Sequence, residues 1–140
     1  MNIAFETTAY STGGRDGHVR VEGTPIDFEM ALPAGLGGNK KEGVNPEQLF
    51  AAGYSACYGS ALQHVIRVRK LKIPAPDVQA TVGIGRDETG NFKLEVTLVA
   101  IVDTDDAALA DSLAQEAHTV CPYSRATRGN ITVNVSGRPR

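Results

Sequence analysis

The sequence NPEQLFAAGYSAC, residues 45–57, carries the strongest secondary-structure signal in this 140-residue chain. Asn45 is a favourable helix N-cap, and Pro46 suits the first helical position. Gln48 stands where the partner of a capping box belongs. No proline follows for more than 20 residues, so the pattern predicts a long helix from Pro46 to about Lys70.

The first half of this predicted helix is apolar or small around almost its whole circumference. Such a pattern is typical of a helix that is buried on most sides, and Cys57 lies within it. Apolar burial raises the pKa of a thiol, and a mid-helix position lacks the helix N-terminus that would lower it. A reactive Cys57 therefore needs a cation from another segment. The alternative is an inert cysteine that packs as a small hydrophobic residue.

The segments on either side of the helix indicate β structure. Alternating or β-branched residues predict strands, turn-forming clusters separate them, and 33–44 is predicted to be an exposed, mobile loop. A second helix is predicted from near Thr104 to Cys121, with Asp105 and Asp106 in its first turn. The predicted strands are 3–10, 18–22, 26–32, 78–86 and 92–102, followed by an edge strand that contains Ile131, Val133 and Val135.

This order of elements, β-β-β-α-β-β-α-β, favours an α+β fold. The strands are joined by hairpins rather than by crossover units, which argues against a doubly wound sheet. The length fits one domain spanning residues 1–140.

Charge and hydropathy exclude several classes of function. The chain has 14 basic and 16 acidic residues, a net charge of -2, so we expect no nucleic-acid or anionic-membrane partner. It lacks the pattern of a signal peptide and any apolar run of roughly 20 residues that would span a bilayer. We therefore expect a cytoplasmic protein, a compartment in which its two cysteines would seldom form a structural disulfide.

The second cysteine, Cys121, precedes Pro122, Tyr123 and Ser124. The sequence Cys-Pro-Tyr-Ser is similar to the active-site motif of single-cysteine glutaredoxins, where the cysteine opens a helix. Here the cysteine follows a helical pattern, which puts it at the unfavourable end of the helix dipole. A resolving thiol fits this position better, because such a thiol needs access and mobility more than a low pKa.

Two charged residues could supply the missing activation. Arg15 lies in a glycine-flanked turn and Glu47 in the first turn of the long helix. Each could be an ordinary solvated charge. In the functional alternative, Glu47 orients the Arg15 guanidinium against a Cys57 thiolate. Glu47 cannot touch Cys57 itself, because ten residues of helix rise roughly 15 Å.

The histidines raise the alternative of a metal site. His64 and His118 could join the two cysteines in a zinc site, but their spacing does not match that of structural zinc sites. A Cys–His catalytic dyad is unsupported, because no oxyanion hole or orienting residue suggests itself.

Four segments carry a resemblance to a known family. Residues 12–17, 45–57, 120–124 and 126–131 resemble the organic hydroperoxide resistance (Ohr) branch of the OsmC/Ohr family. The resemblance covers nearly the whole chain. It implies an OsmC-like α+β fold, in which antiparallel sheets pack around a long central helix and a second helix. It also implies a cytoplasmic, intertwined homodimer with active sites at the subunit interface.

The resemblance also implies roles for individual residues. Cys57 matches the family's peroxidatic cysteine, Cys121 its resolving cysteine, Arg15 its catalytic arginine and Glu47 the glutamate that holds that arginine. The implied activity is reduction of organic hydroperoxides, including those of fatty acids, in response to oxidative stress. A Cys57–Cys121 disulfide would then be re-reduced by a dithiol, namely the lipoyl group of a lipoylated protein. Neither a metal nor an organic cofactor is expected.

The surroundings of Cys57 suggest a substrate preference. Leu49, Phe50 and Tyr123 are expected to line an apolar pocket that suits a long alkyl hydroperoxide. Arg125 departs from the asparagine expected in close relatives. Two other functions stay open from the residues alone: a lipid-binding or redox-sensing protein without turnover, and a structural domain with inert cysteines.

Overall fold

The computed structural model describes residues 1–39 and 42–140, which form two compact units, 1–49 and 50–140. The element order confirms the predicted α+β fold, with one helix more than expected. The elements are β1 Ala9–Thr12, β2 His18–Val21, β3 Asp27–Glu29, α1 Pro46–Val68, β4 Asp77–Arg86, β5 Phe92–Val102, α2 Ala107–Val120, α3 Pro122–Thr127 and β6 Thr132–Pro139, with short 3-10 turns at Gly14–Asp16 and Ala34–Leu36.

The first unit contains an antiparallel meander in the order β1-β2-β3. The prediction of a strand over 3–10 is wrong for most of its length, because β1 begins only at Ala9. Ala9 pairs with Val21, the last residue of β2, so the residues before it lie beyond the end of the neighbouring strand.

The third strand is also shorter than the predicted 26–32. It ends at Glu29, and Met30 then forms a parallel bridge with Val44. The predicted loop 33–44 thus contains a 3-10 turn at Ala34–Leu36 and ends in a paired residue. Lys40 and Lys41, which belong to that predicted loop, lie outside the described residues.

The start of α1 confirms the predicted capping box. The backbone N–H of Gln48 donates to Asn45 Oδ1 at 2.9 Å, and the Asn45 N–H donates to Gln48 Oε1 at 2.9 Å. Two otherwise unpaired amides at the helix start are thereby satisfied. The helix ends at Val68, two residues before the predicted end.

Within the second unit, α1 buries one face completely, so the prediction that its first half is buried on most sides is wrong. Ala52 and Ala56 are exposed and Cys57 is half-buried. The 3.6-residue period places the large apolar side chains on a single stripe, and the small residues elsewhere cover little area. The buried residues are Tyr54, Tyr58, Ala61, Leu62, Val65 and Ile66.

The sheet of the second unit has the order β4-β5-β6. The hairpin of β4 and β5 is confirmed as an antiparallel pair, and β6 is the predicted edge strand. However, β6 runs parallel to β5, so the expectation of purely antiparallel sheets without a crossover is wrong. The helices α2 and α3 carry the chain back along the sheet, which is what a parallel connection requires.

The second helix packs closely against this edge strand. The Gly137 N–H donates to Asp111 Oδ1 at 2.9 Å. A Cβ at Gly137 would fall on the backbone carbonyl oxygen of Ala110. Only glycine therefore lets the helix backbone approach the strand this closely.

The second helix begins at Ala107, three residues after the predicted start. Asp106 is its N-cap, because its carboxylate accepts a hydrogen bond from the Leu109 N–H at 2.9 Å. Asp105 and Asp106 therefore precede the first turn instead of lying in it. Along the described chain, each helix is too short or too polar to cross a membrane.

Candidate active site

The two cysteines lie next to each other although 64 residues separate them. Cys57 is in the middle of α1, and Cys121 lies between α2 and α3. Both are thiols, and the Cys121 S–H donates to Cys57 Sγ at 3.6 Å. A disulfide bond is about 2.05 Å long, so the sulfurs need to approach by only roughly 1.5 Å to form one.

The burial of the two thiols is the reverse of what the sequence predicted. Cys121 is completely buried in the core of the second unit, whereas Cys57 is half-buried. The expectation that Cys121 is accessible is therefore wrong. Its side chain packs with the buried residues of α2 instead of reaching solvent at a frayed helix end.

The position of Cys121 in the chain also differs from the prediction. Cys121 ends α2, as expected, but it is also the N-cap of α3, with Pro122 at the first helical position. Its backbone is extended, with φ -61° and ψ 124°, because a residue before proline avoids helical geometry. The sequence signal for α3 was Pro122 itself, since proline is favoured at a helix start as well as after a helix end.

The start of α3 provides a backbone donor for Cys57. Burial raises the pKa of the Cys57 thiol, and a hydrogen bond from the Tyr123 backbone N–H opposes this by favouring the thiolate. The first N–H groups of a helix have no partner within the helix, and Pro122 has none to offer. The Tyr123 N–H is therefore the first donor that α3 can present.

In the first unit, Arg15 and Glu47 form a bidentate ion pair. The two guanidinium nitrogens Nη1 and Nη2 donate to the two carboxylate oxygens at 2.8 and 2.7 Å. This pairing raises the pKa of Arg15 and lowers the pKa of Glu47. The Glu47 side chain is only 11% exposed, and that of Arg15 is 37% exposed. The structure thus brings Arg15 and Glu47 together, as predicted. The two hydrogen bonds also fix the plane of the guanidinium.

The loop that carries Arg15 depends on glycine. Gly13 has a left-handed φ of 74°, and a Cβ at Gly17 would fall on the carbonyl oxygen of Thr12. The chain therefore closes into a compact 3-10 turn, which aims the Arg15 side chain at Glu47.

Of the three predicted pocket residues, Phe50 and Tyr123 pack together in the second unit. Their rings are stacked with centroids 6.2 Å apart, and Tyr54 meets both rings edge-on at 5.7 Å. Gly53 makes room for this cluster, since a Cβ there would lie 3.3 Å from Tyr123 Oη. Leu49 belongs to the first unit and is half-buried.

A buried polar network beneath this cluster was not foreseen from the sequence. The Tyr54 hydroxyl donates to Ser124 Oγ at 2.9 Å and lies 3.2 Å from Thr127 Oγ1. Ser124 Oγ is in turn 2.8 Å from His118 Nδ1. Burial, together with the nearby charge of Arg128, lowers the pKa of His118. The buried hydroxyl of Ser124 therefore has a hydrogen-bond partner on each side, Tyr54 and His118.

The two histidines of the possible metal site have other partners. His118 bonds Ser124, and His64 Nδ1 lies 3.4 Å from an Arg67 nitrogen. Among residues 1–39 and 42–140, no three His, Cys, Asp or Glu side chains are grouped closely enough to bind a metal. Arg125 is exposed on α3.

A groove opens beside Cys57 on the surface of the second unit. Its volume is about 440 Å³. Cys121 is not part of its wall, in keeping with its complete burial. The lining residues are Cys57, Ser60, Ala61, His64, Val120 and Pro122.

Comparisons with known proteins point to one family. The profile of the OsmC-like protein family matches residues 37–136. The chain is 42% identical over 135 residues to the organic hydroperoxide resistance protein OhrB of Bacillus subtilis, covering 94% of this chain and 96% of that protein. It is also 42% identical over 135 residues to the organic hydroperoxide resistance protein of Xanthomonas axonopodis pv. citri, covering 96% and 94%. The crystal structure of an organic hydroperoxide resistance protein from Elizabethkingia anophelis superposes with a TM-score of 0.87 at 48% identity and covers 96% of both chains.

Proposed function

This chain belongs to the OsmC-like family, within its organic hydroperoxide resistance branch, and on that premise we propose that it is a cysteine-based peroxidase that reduces organic hydroperoxides to alcohols. The supporting relatives are named for resistance to these compounds. The observation that carries the proposal is the 3.6 Å separation of Cys57 Sγ and Cys121 Sγ.

The proposed reaction has two steps. The Cys57 thiolate attacks the distal oxygen of the hydroperoxide, the O–O bond breaks, and the alcohol leaves after taking up a proton. Cys57 is then a sulfenic acid. The Cys121 thiol attacks this sulfur, water leaves with the Cys121 proton, and a Cys57–Cys121 disulfide forms. The short distance between the sulfurs supports fast closure, which would protect Cys57 from further oxidation.

Activation of Cys57 is assigned to Arg15. Because burial raises the pKa of Cys57, the thiolate needs a positive charge in addition to the Tyr123 N–H. In this proposal the Arg15 guanidinium supplies that charge and Glu47 holds the guanidinium in place. The bidentate ion pair supports the role of Glu47, because two parallel hydrogen bonds fix the plane as well as the position of the group.

The proposed substrates are organic hydroperoxides with an alkyl chain, including those of fatty acids. The stacked rings of Phe50 and Tyr123 and the Val120 and Pro122 walls of the groove support this class. Apolar surfaces favour an alkyl chain and offer few partners to hydrated hydrogen peroxide. Leu49 is proposed as a further apolar contact for the alkyl chain of the substrate.

The proposal also includes a homodimer and an external reductant. Large apolar side chains of the first unit, among them Ile3, Phe5 and Tyr10, are exposed in the single chain, and such surface is typical of an interface between subunits. We expect active sites at that interface, a cytoplasmic location, and re-reduction by lipoyl dithiols. The peroxidase is proposed to work without a metal or organic cofactor.

A peroxidase assay with dihydrolipoamide tests this function. We expect many turnovers with tert-butyl hydroperoxide and a fatty-acid hydroperoxide, and a lower kcat/KM with hydrogen peroxide. Cys57→Ser should abolish turnover, while Ser55→Ala, a control two residues away on α1, should keep it. Consumption of one peroxide per chain with excess dithiol would instead support a redox sensor, and unchanged turnover in Cys57→Ser would reject the mechanism.

A further inference from the structure

The proposed disulfide has two sulfurs, and in the single chain only one of them is reachable from solvent. Cys121 is completely buried, whereas Cys57 is half-buried and forms part of the groove wall. A thiolate that opens a disulfide must touch the sulfur that it attacks and approach it from the side opposite the leaving sulfur. The accessible sulfur is therefore the one to which a reductant can bond.

From this difference we infer that the groove beside Cys57 is the binding site of the reducing thiol, and that the reductant bonds to Cys57 Sγ while Cys121 leaves as the thiolate. This inference rests on the proposed function only in assuming that a Cys57–Cys121 disulfide forms. It assigns a direction to disulfide reduction and a class of ligand to the groove, namely a slender alkyl thiol or dithiol.

The lining of the groove suits such a ligand. Ala61, Val120 and Pro122 offer apolar contact to a methylene chain, and Ser60 and His64 add polar edges. The groove leads to a sulfur on α1 instead of to the buried corner between α2 and α3.

A dithiol supplies both electrons that reduction of the disulfide needs. Its first thiolate attacks Cys57 Sγ, a mixed disulfide forms there, and the Cys57–Cys121 bond breaks to leave the Cys121 thiolate, which takes up a proton. The second thiol of the reductant then attacks the reductant's own sulfur in the mixed disulfide. This step closes a cyclic disulfide and releases Cys57 as the thiolate. Two electrons pass from the dithiol to the two cysteines; of its two protons, one ends on Cys121 and the other is released to solvent, because Cys57 leaves as the thiolate.

Trapping the mixed disulfide tests the inference. The full chain is oxidised with diamide, so that closure of the disulfide does not depend on peroxidase activity. It is then treated briefly with 2-mercaptoethanol, quenched in acid, denatured and alkylated with N-ethylmaleimide. Peptide mass spectrometry should find mercaptoethanol on Cys57 and maleimide on Cys121, at least about tenfold in excess over the reverse pattern, because attack depends on access.

The opposite pattern, or equal amounts of the two, would overturn the inference even if the chain is an active peroxidase. A chain in which diamide closes no Cys57–Cys121 bond would also overturn it. If diamide closes the bond and hydroperoxides do not, the proposed peroxidase fails while the trapping result still decides the direction of attack.

A pair of variants tests the groove itself. Ser60→Phe narrows the groove, and Gln63→Phe places the same ring on an exposed position of α1 that does not line it. We expect the rate constant for reduction of the diamide-formed disulfide by dihydrolipoamide to fall at least about tenfold in Ser60→Phe and less than about twofold in Gln63→Phe. Equal rates in the two variants would overturn the assignment of the groove.

Discussion

Ser124 Oγ lies 2.8 Å from His118 Nδ1 and links the end of α2 to the first turns of α3. The same hydroxyl accepts a hydrogen bond from Tyr54 on α1. Three helices therefore meet at one completely buried oxygen. Cys121 lies in the connection that this oxygen braces, so the network fixes the segment on which the proposed disulfide depends.

The first prediction is that Ser124→Ala destabilises the fold. The substitution leaves His118 Nδ1 and the Tyr54 hydroxyl without their Ser124 partner in a buried place, which costs about 1–3 kcal/mol. Urea denaturation should show this loss in the free energy of unfolding. Ser60→Ala, at an exposed serine of α1, should change it by less than about 0.5 kcal/mol. Equal stability of the two variants would contradict a structural role for the network.

The second prediction concerns stability between neutral and mildly acidic pH. Because the pKa of His118 is lowered in the fold, the unfolded chain takes up this proton first as the pH falls. The contribution of neutral His118 to the free energy of unfolding is therefore fully present above about pH 6.5, the ordinary pKa of histidine. It is lost as the pH falls from there through the lowered pKa. His118→Asn should flatten the free energy of unfolding in this window. An unchanged slope in the variant would count against the prediction.

The third prediction concerns Glu47 and stronger acid. The pKa of Glu47 is lowered by its hydrogen bonds to Arg15, so its contribution is present above the ordinary value of about 4.3 and is lost as the pH falls through the lowered value. Glu47→Gln should reduce the acid sensitivity below pH 4.3. At neutral pH it should cost at most about 1 kcal/mol, because the Arg15 side chain is more than a third exposed. Denaturation at pH 7 and pH 3.5 measures both effects.

The fourth prediction separates charge from geometry at Arg15. Arg15→Ala should lower kcat/KM for tert-butyl hydroperoxide by on the order of 10²-fold, the effect of losing one electrostatic partner of the reacting group. Arg15→Lys keeps the charge but loses the planar two-point contact with Glu47. The kcat/KM of Arg15→Lys should therefore lie between that of the wild type and that of Arg15→Ala. Full activity of Arg15→Ala would remove Arg15 from the mechanism.

The fifth prediction tests the crossover between β5 and β6. Gly137→Ala places a Cβ on the Ala110 carbonyl oxygen, and the helix and strand backbones cannot both keep their places. We expect a loss of more than about 2 kcal/mol in the free energy of unfolding. Gly85→Ala is the control, because a Cβ there meets no atom within 4 Å. It should leave stability unchanged or raise it slightly.

The parts of the fold that the sequence predicted well have local causes. The capping box at Asn45 and Gln48 and the hairpin of β4 and β5 depend on residues close together in the chain. The parallel pairing of β6 with β5 does not, since it joins residues far apart in the chain, such as Glu95 and Thr132. Hydrophobic alternation in β6 marks a strand but carries no information about its direction.

The same contrast between local and long-range causes applies to the candidate site. The helix position of Cys57 followed from its local sequence, but the relative burial of the two thiols did not, because the interior position of Cys121 depends on the packing of α2 and α3. The network of Tyr54, Ser124 and His118 could not be predicted from the sequence for the same reason, since 70 residues separate Tyr54 from Ser124. A serine and a histidine near a helix end give no sign of burial by themselves.

The capping box has a consequence for the rotation of α1 about its own axis. By fixing the residue at which the helix begins, Asn45 and Gln48 also fix the direction in which each later side chain points. A shift of the start by one residue would turn Glu47 by about 100° around the axis, which would take its carboxylate away from the Arg15 guanidinium. The cap therefore sets the orientation of the helix about its axis, and the alignment of the Glu47 carboxylate with the Arg15 guanidinium depends on it.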